Sequence, residues 1–306
     1  MSITYLSYQN ILDHFSPAQA VHALRNTLRN GYDPSNDYPR QRMDMPYAQL
    51  LMMPSYTSHS FGMKILSCAD TSARPDVPLI QGSYLLFNAQ TLAPTHVLDG
   101  VALTDIRTSA VSIAGVYPYI SDSSEPLKTV IFGCGAQGRA HLKTLENTLE
   151  AIRPVEHTFI SRTQPEDITQ WVQAGSQDAA HVLKQAELIL CTTTSSTPLF
   201  EVEDVNPHAI IVAVGSHTPQ AREVSSSVME VAEVIVEDRA TALRECGDVI
   251  CAIEDGVLSE EELYSLCDVV SERVKVQAGC PIVFKTSGMG WEDLTLAEAI
   301  VAAVQP

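Results

Sequence analysis
The residues best suited to chemistry begin at position 129. An apolar run, Thr129-Val130-Ile131-Phe132, enters Gly133-Cys134-Gly135-Ala136-Gln137-Gly138 and continues into helical sequence from Arg139 to Leu149. Gly133 permits a tight exit from a strand, Gly135 lets the backbone approach a pyrophosphate, and Gly138 lets the next helix pack closely on the sheet. Ala136 and Gln137, within the turn, are counted with the glycines as cofactor residues, and the free N–H groups and positive dipole end of the helix suit phosphate. Glycines at this spacing also mark ordinary turns. The buried-strand run before them and the helix after them make this a dinucleotide-binding turn.

Which dinucleotide is read one strand later. A chain that binds NAD ends its second strand, about 20 residues past the glycines, in Asp or Glu for the ribose 2′-hydroxyl. Here the second strand reads His157-Thr158-Phe159-Ile160 and ends in Ser161-Arg162-Thr163. Two hydroxyls and a guanidinium suit a 2′-phosphate, because arginine offers a planar fork of donors and a fixed charge. The expected cofactor is NADPH, with NADH the alternative if Arg162 is only a solvated loop residue.

Composition narrows the partners. A chain of 306 residues, 45% apolar and 18% charged, has the makings of a globular protein of one large or two ordinary domains. Its formal charge of −18 supplies no basic footprint for nucleic acid, and any anionic substrate must be caught by a few local cations. The seven cysteines show neither disulfide nor zinc-ligand spacing, so no metal is expected. Without a signal-like N-terminus or a bilayer-spanning apolar run, a cytoplasmic location with no membrane partner is expected.

Two domains must position these residues. Pro17 to Gly31 reads as an amphipathic helix capped by Ser16, with Ala20, Val21, Leu24 and Leu28 on one face. Short apolar runs at 49–53, 62–67, 83–87 and 95–98, punctuated by Gly and Pro, predict a mainly antiparallel sheet. A helix from Leu103 to Ile120 and a polar linker at 121–126 follow. From Lys128 onward strands alternate with helices, and the runs 188–191, 209–214 and 234–236 are apolar throughout, as a doubly wound parallel sheet requires. Ligands bind beyond the carboxyl ends of such strands, so Thr192-Thr193-Thr194 and Gly215-Ser216-His217 should face the cofactor. The expected fold is α/β, a Rossmann-type doubly wound domain at 121–282 plus an α+β substrate and dimerisation domain formed by 1–120 with 283–306.

Several separated motifs carry a family resemblance. They are Arg40…Met53-Pro54…Gly62-Met63-Lys64, Leu103-Thr104-Asp105-Ile106-Arg107-Thr108-Ser109-Ala110, the glycine turn, Ala213-Val214-Gly215-Ser216-His217-Thr218-Pro219 with Arg222-Glu223, and the tail Val283 to Asp293. In this order, over nearly the whole chain, they resemble the ornithine cyclodeaminase/mu-crystallin family, whose members act on small amino or imino acids. The resemblance implies a homodimer paired through the N-terminal domain and an active site in the cleft between domains. It also implies that Arg40, Lys64 and Arg107 bind the substrate carboxylate beside the nicotinamide, with Thr108 counted among the cofactor residues. Arg42 competes with Arg40, and only the distances to Met53 and Lys64 favour the latter. Lys64 stands in an otherwise apolar strand, where a lysine needs a reason.

One position departs from the cyclodeaminase pattern. Cyclodeaminases resemble Gly-Gly-Asp-x-Pro where this chain reads Gly215-Ser216-His217-Thr218-Pro219. An imidazole can donate a proton near neutral pH, whereas an ordinary Asp is already ionised. That shifts the expectation to the family's reductase branch, and the resemblance to that branch implies NADPH-dependent reduction of a cyclic 2-imino acid, Δ1-pyrroline-2-carboxylate or Δ1-piperideine-2-carboxylate, to L-proline or L-pipecolate. Lys64 or His217 would serve the nitrogen proton. The rival readings are an ornithine cyclodeaminase with bound NAD, an alanine dehydrogenase-like enzyme, and a non-catalytic NADPH-dependent binding protein.

Overall fold
The computed structural model describes residues 3–70, 72–277 and 279–304. In chain order the elements begin β1 (Thr4–Leu6), α1 (Tyr8–His14), α2 (Pro17–Arg29), β2 (Gln41–Met45), β3 (Ala48–Tyr56), β4 (Ser60–Ala69), β5 (Ile80–Asn88), β6 (Pro94–Asp99) and α3 (Gly100–Ile120). They continue with β7 (Leu127–Phe132), α4 (Ala136–Leu149), β8 (Val155–Ser161), β9 (Trp171–Gln173), α5 (Gln177–Gln185), β10 (Leu188–Cys191) and β11 (Ile210–Ala213). The last are α6 (Ser226–Met229), β12 (Glu233–Val236), α7 (Arg239–Glu245), α8 (Gly247–Glu254), β13 (Tyr264–Ser265), α9 (Leu266–Val270), β14 (Ile282–Lys285) and α10 (Gly290–Val304).

The chain divides into two compact units, Met1–Arg107 with Gly288–Pro306, and Thr108–Ser287. The first carries a sheet ordered β1-β6-β5-β4-β3-β2, antiparallel from β2 to β6, with β1 added in parallel. Helix α2 starts as the sequence predicts. Ser16 and Gln19 form a reciprocal capping box, Pro17 occupies the first turn, and Ala20, Val21, Leu24 and Leu28 are buried. Helix α10 packs on α1, α2, β3 and β4, and nearly every residue of its first two turns is buried.

The second unit is an all-parallel sheet ordered β13-β12-β14-β11-β10-β7-β8-β9. Strands β10, β11 and β14 are buried at every position, as strands covered on both faces must be. The order reverses between β7 and β10, the switch point where such sheets bind ligands.

The expected domain limits need correction at both ends. Residues 283–285 do not leave with the tail, because β14 pairs between β11 and β12 in the second sheet. Residues 108–120 also belong to the second unit. Gly115 explains this locally: a Cβ there would lie 2.5 Å from the Phe284 ring, so α3 rests directly on β14.

Candidate active site
In the first unit the site is built on strand alternation. Successive side chains of β4 point to opposite faces, and Ser60, Gly62, Lys64 and Leu66 share the buried one. Lys64 lies in register between Met53 of β3 and Tyr84 of β5, and is itself 0% exposed. A lone ammonium there would cost on the order of several kcal/mol of desolvation, so it needs a counterion. Its Nζ donates to Asp293 Oδ1 at 2.7 Å, in the first turn of α10. Arg107 Nη1 donates to Glu292 Oε2 at 3.3 Å, and its Nε lies 3.9 Å from Asp293 Oδ1. Burial, then the Arg107 charge, draws Lys64 down from 10.5 to about 8, against the opposing pull of Asp293 and Glu292.

The segment before α10 completes the cluster. Gly288 adopts a φ of +82°, and a Cβ there would lie 1.9 Å from Arg107 Nη1, so only glycine lets the guanidinium lie against the chain. Arg40 Nη2 donates to the Gly288 carbonyl at 3.0 Å, and the Met289 amide donates to Glu292 Oε1 at 2.8 Å. Arg40, Lys64 and Arg107, drawn from three distant stretches of sequence, therefore gather on residues 288–293. Arg42, the competitor of Arg40, instead pairs with Asp44 at 3.3 Å on an exposed strand. Asp37 supports the same segment by accepting from the Trp291 amide at 2.8 Å, and burial raises its carboxyl to about 6.

The three glycines of the turn have different surroundings. Gly133 has a φ of +98°, and a Cβ there would lie 2.8 Å from the Thr192 carbonyl. A Cβ on Gly138 would lie 2.1 Å from the Gly133 carbonyl, whereas one on Gly135 would meet nothing within 4 Å. Gly135 is also the N-cap of α4, and no side chain bonds to the helix start. An open backbone at an uncapped helix N-terminus fits a pyrophosphate. Thr192 closes on this turn, its hydroxyl donating to the Phe132 carbonyl at 2.8 Å. Behind the first turn of α4, His141 lies 2.7 Å from the Gln137 carbonyl and 2.9 Å from Ser112 Oγ of α3, whose Oγ also donates to the Thr108 carbonyl at 2.9 Å. Burial lowers this imidazole to about 4.

At the end of β8 the predicted residues separate in role. Ser161 donates its single hydroxyl proton to the Thr163 carbonyl at 2.8 Å and accepts from Trp171 Nε1 at 2.8 Å and Cys134 Sγ at 3.2 Å. It shapes the loop and has no proton left for a phosphate. Arg162 and Thr163 are exposed. The loop is pinned to α4 by Arg139, which grips Asp167 at 2.6 and 2.9 Å.

Across the switch point, Thr193 and Gly215 meet through one carboxylate, Glu223. His217 is exposed in the loop after β11, its Nδ1 3.3 Å from the Gly215 carbonyl. Glu223, Glu292 and Asp293 stand inside the motifs quoted above, but nothing in their local sequence gives them a role. Asp248 carries no local signal, whereas Lys285, a lysine inside the apolar run 282–285, carries the same one as Lys64. Among the described residues there is no cluster of three or more metal-ligand side chains, and no helix long and apolar enough to cross a membrane.

The chain is similar to several known proteins. The sequence pattern of the ornithine cyclodeaminase/mu-crystallin family matches residues 8–305. Mouse ketimine reductase mu-crystallin is 28% identical over 97% of this chain and 96% of its own. A Δ1-pyrroline-2-carboxylate reductase of Bacillus cereus is 27% identical over 84% of this chain and 83% of its own. In fold, the chain is similar to Thermococcus litoralis Δ1-pyrroline-2-carboxylate reductase solved with NADH and L-proline, at a TM-score of 0.84 and 21% identity, covering 98% of this chain and 97% of that one. With the glycine cradle and the tail segment both in place, the chain belongs to the ornithine cyclodeaminase/mu-crystallin family.

Proposed function
We propose that the chain is an NAD(P)H-dependent oxidoreductase that reduces the C=N bond of a cyclic 2-imino acid, with Δ1-pyrroline-2-carboxylate as substrate and L-proline as product. The six-membered Δ1-piperideine-2-carboxylate is the second substrate, and NADPH is the preferred cofactor. The observation that carries the reading is the gathering of Arg40, Lys64 and Arg107 on residues 288–293. Two guanidinium forks beside Gly288 have the shape that grips a carboxylate. The reductase names of the mouse and Bacillus relatives support the same reaction class.

In this mechanism Arg40 and Arg107 hold the substrate carboxylate and fix the position of C2. The dinucleotide, when bound, supplies the hydride that C2 receives. As the C=N pair collapses onto nitrogen, Lys64 provides the proton there; His217 is the alternative donor. Lys64 is suited to this because a partner carboxylate keeps it charged while burial brings its acidity near neutral pH. Positioning supplies the larger part of the rate, since a fixed near-attack geometry replaces a bimolecular encounter. We place the protein in the cytoplasm as a homodimer. Exposed Met43, Met45, Tyr47 and Ile65 on β2–β4 support pairing through that sheet, which light scattering would check.

The deciding experiment measures NADPH and NADH oxidation with pyrroline-2-carboxylate, piperideine-2-carboxylate, and pyruvate plus ammonia, beside ammonia release from ornithine. Turnover of ornithine alone would overturn the reductase reading. No oxidation despite tight NADPH binding would favour a binding protein. Arg162→Ala is expected to raise the Michaelis constant for NADPH about tenfold or more, with little change for NADH; equal effects would remove the 2′-phosphate argument.

A further inference from the structure
Glu223 is 0% exposed and lies between β11 and α6. Its Oε1 accepts from the Thr193 amide and the Thr193 hydroxyl, both at 2.7 Å, and its Oε2 accepts from the Gly215 amide at 2.6 Å. One carboxylate thus joins the loop after β10 to the loop after β11. The two loops are in contact: a Cβ on Gly215 would lie 1.9 Å from the Thr193 carbonyl and 2.7 Å from Glu223 Oε1.

Glu223 is itself held from behind. Its amide and that of Val224 donate to Asp248 Oδ1 at 2.7 and 2.9 Å, while Asp248 Oδ2 receives Ser216 Oγ and lies 3.1 Å from Lys285 Nζ. Lys285, at the end of β14, also donates to the Ser216 carbonyl at 2.6 Å. Glu223, Asp248 and Lys285 are all buried, so each charge depends on this network. It ties together the carboxyl ends of β10, β11 and β14.

The sheet says which part of a dinucleotide lies there. In sheets of this order a dinucleotide places its pyrophosphate at the glycine turn after the first strand and its adenosine ribose at the end of the second, so here the other half would extend across the switch point over β10 and β11. We propose that Glu223 is a positioning residue for the nicotinamide half of the cofactor, fixing Thr193 and Gly215 as the surface on which that half lies. This rests on the dinucleotide reading of the glycine turn, and it does not depend on which imino acid is reduced.

The test compares a whole cofactor with its adenylate half. Glu223→Gln keeps the shape but turns one oxygen into a donor facing another donor, which releases one loop. Calorimetric titration of the full chain would use NADH with ADP-ribose, or NADPH with 2′-phospho-ADP-ribose, whichever pair the wild type binds. The dissociation constant for the whole cofactor is expected to rise about tenfold or more in the variant, with that for the half molecule unchanged within about twofold. Equal loss for both, or loss for neither, would overturn the proposal. If Glu223→Gln does not fold, Glu223→Asp keeps the charge but is too short to reach both loops, and the same comparison decides. Failure of both variants to fold would make Glu223 a residue of stability alone and overturn the proposal. Wild type that binds neither ligand would overturn the dinucleotide reading itself, a result distinct from the others.

Discussion

Asp293→Asn isolates the charge that holds Lys64. In the wild type Asp293 Oδ1 lies 2.7 Å from Lys64 Nζ and 3.9 Å from Arg107 Nε, with Lys64 and Asp293 both 0% exposed. Breaking a buried pair by removing one charge costs about 3–5 kcal/mol if the other charge stays. Lys64 has an escape, because it sits at about 8 in the folded protein and can release its proton. One pH unit below that value, neutralising it costs about 1.4 kcal/mol, and each further unit adds as much. The sign follows from linkage. A lysine depressed in the folded state makes stability rise with pH from its folded value up to 10.5 in the unfolded chain, and its own contribution is flat below the folded value. Without Asp293 that folded value drops, so the variant keeps losing stability below about 8 where the wild type has levelled off. The deficit should be small near pH 9, about 1–2 kcal/mol near pH 7, and approach about 3–5 kcal/mol near pH 6. Equilibrium urea unfolding of both proteins across this range measures it. A deficit that does not change with pH would refute the argument, since it would mean Lys64 does not titrate against Asp293.

Two further predictions use the cofactor cradle. Gly135→Ala is expected to lower the melting temperature by no more than about a few degrees, since the added Cβ meets nothing within 4 Å and the backbone φ of −76° suits alanine, which is only a weaker N-cap than glycine. The same methyl should weaken NADPH binding about tenfold or more by standing where the pyrophosphate approaches, which a fluorescence titration would show. His141, at about 4 when folded and 6.5 when free, makes the unfolded chain bind the extra proton between those values, so stability falls as pH drops through that window. His141→Gln should flatten this acid slope in urea unfolding. An unchanged slope would place the acid sensitivity elsewhere.

What the sequence determined by itself was whatever depends on local spacing. The glycine turn specified its strand, cradle and helix start because each role is local to a few residues, and the capping box of α2 was legible for the same reason. The lone charge in an apolar strand identified Lys64 as unusual before any contact was known. What lies far apart in sequence was decided by the tertiary structure. The partner of Lys64 is 229 residues away, and Glu223 reaches back 30 residues to Thr193. No local pattern encodes which carboxylate answers a buried cation, because desolvation makes a partner necessary without naming it. The fold supplied the names: α10 carries Asp293 onto β4, and β14, read from sequence as part of the tail, enters the second sheet and brings Lys285 to Asp248.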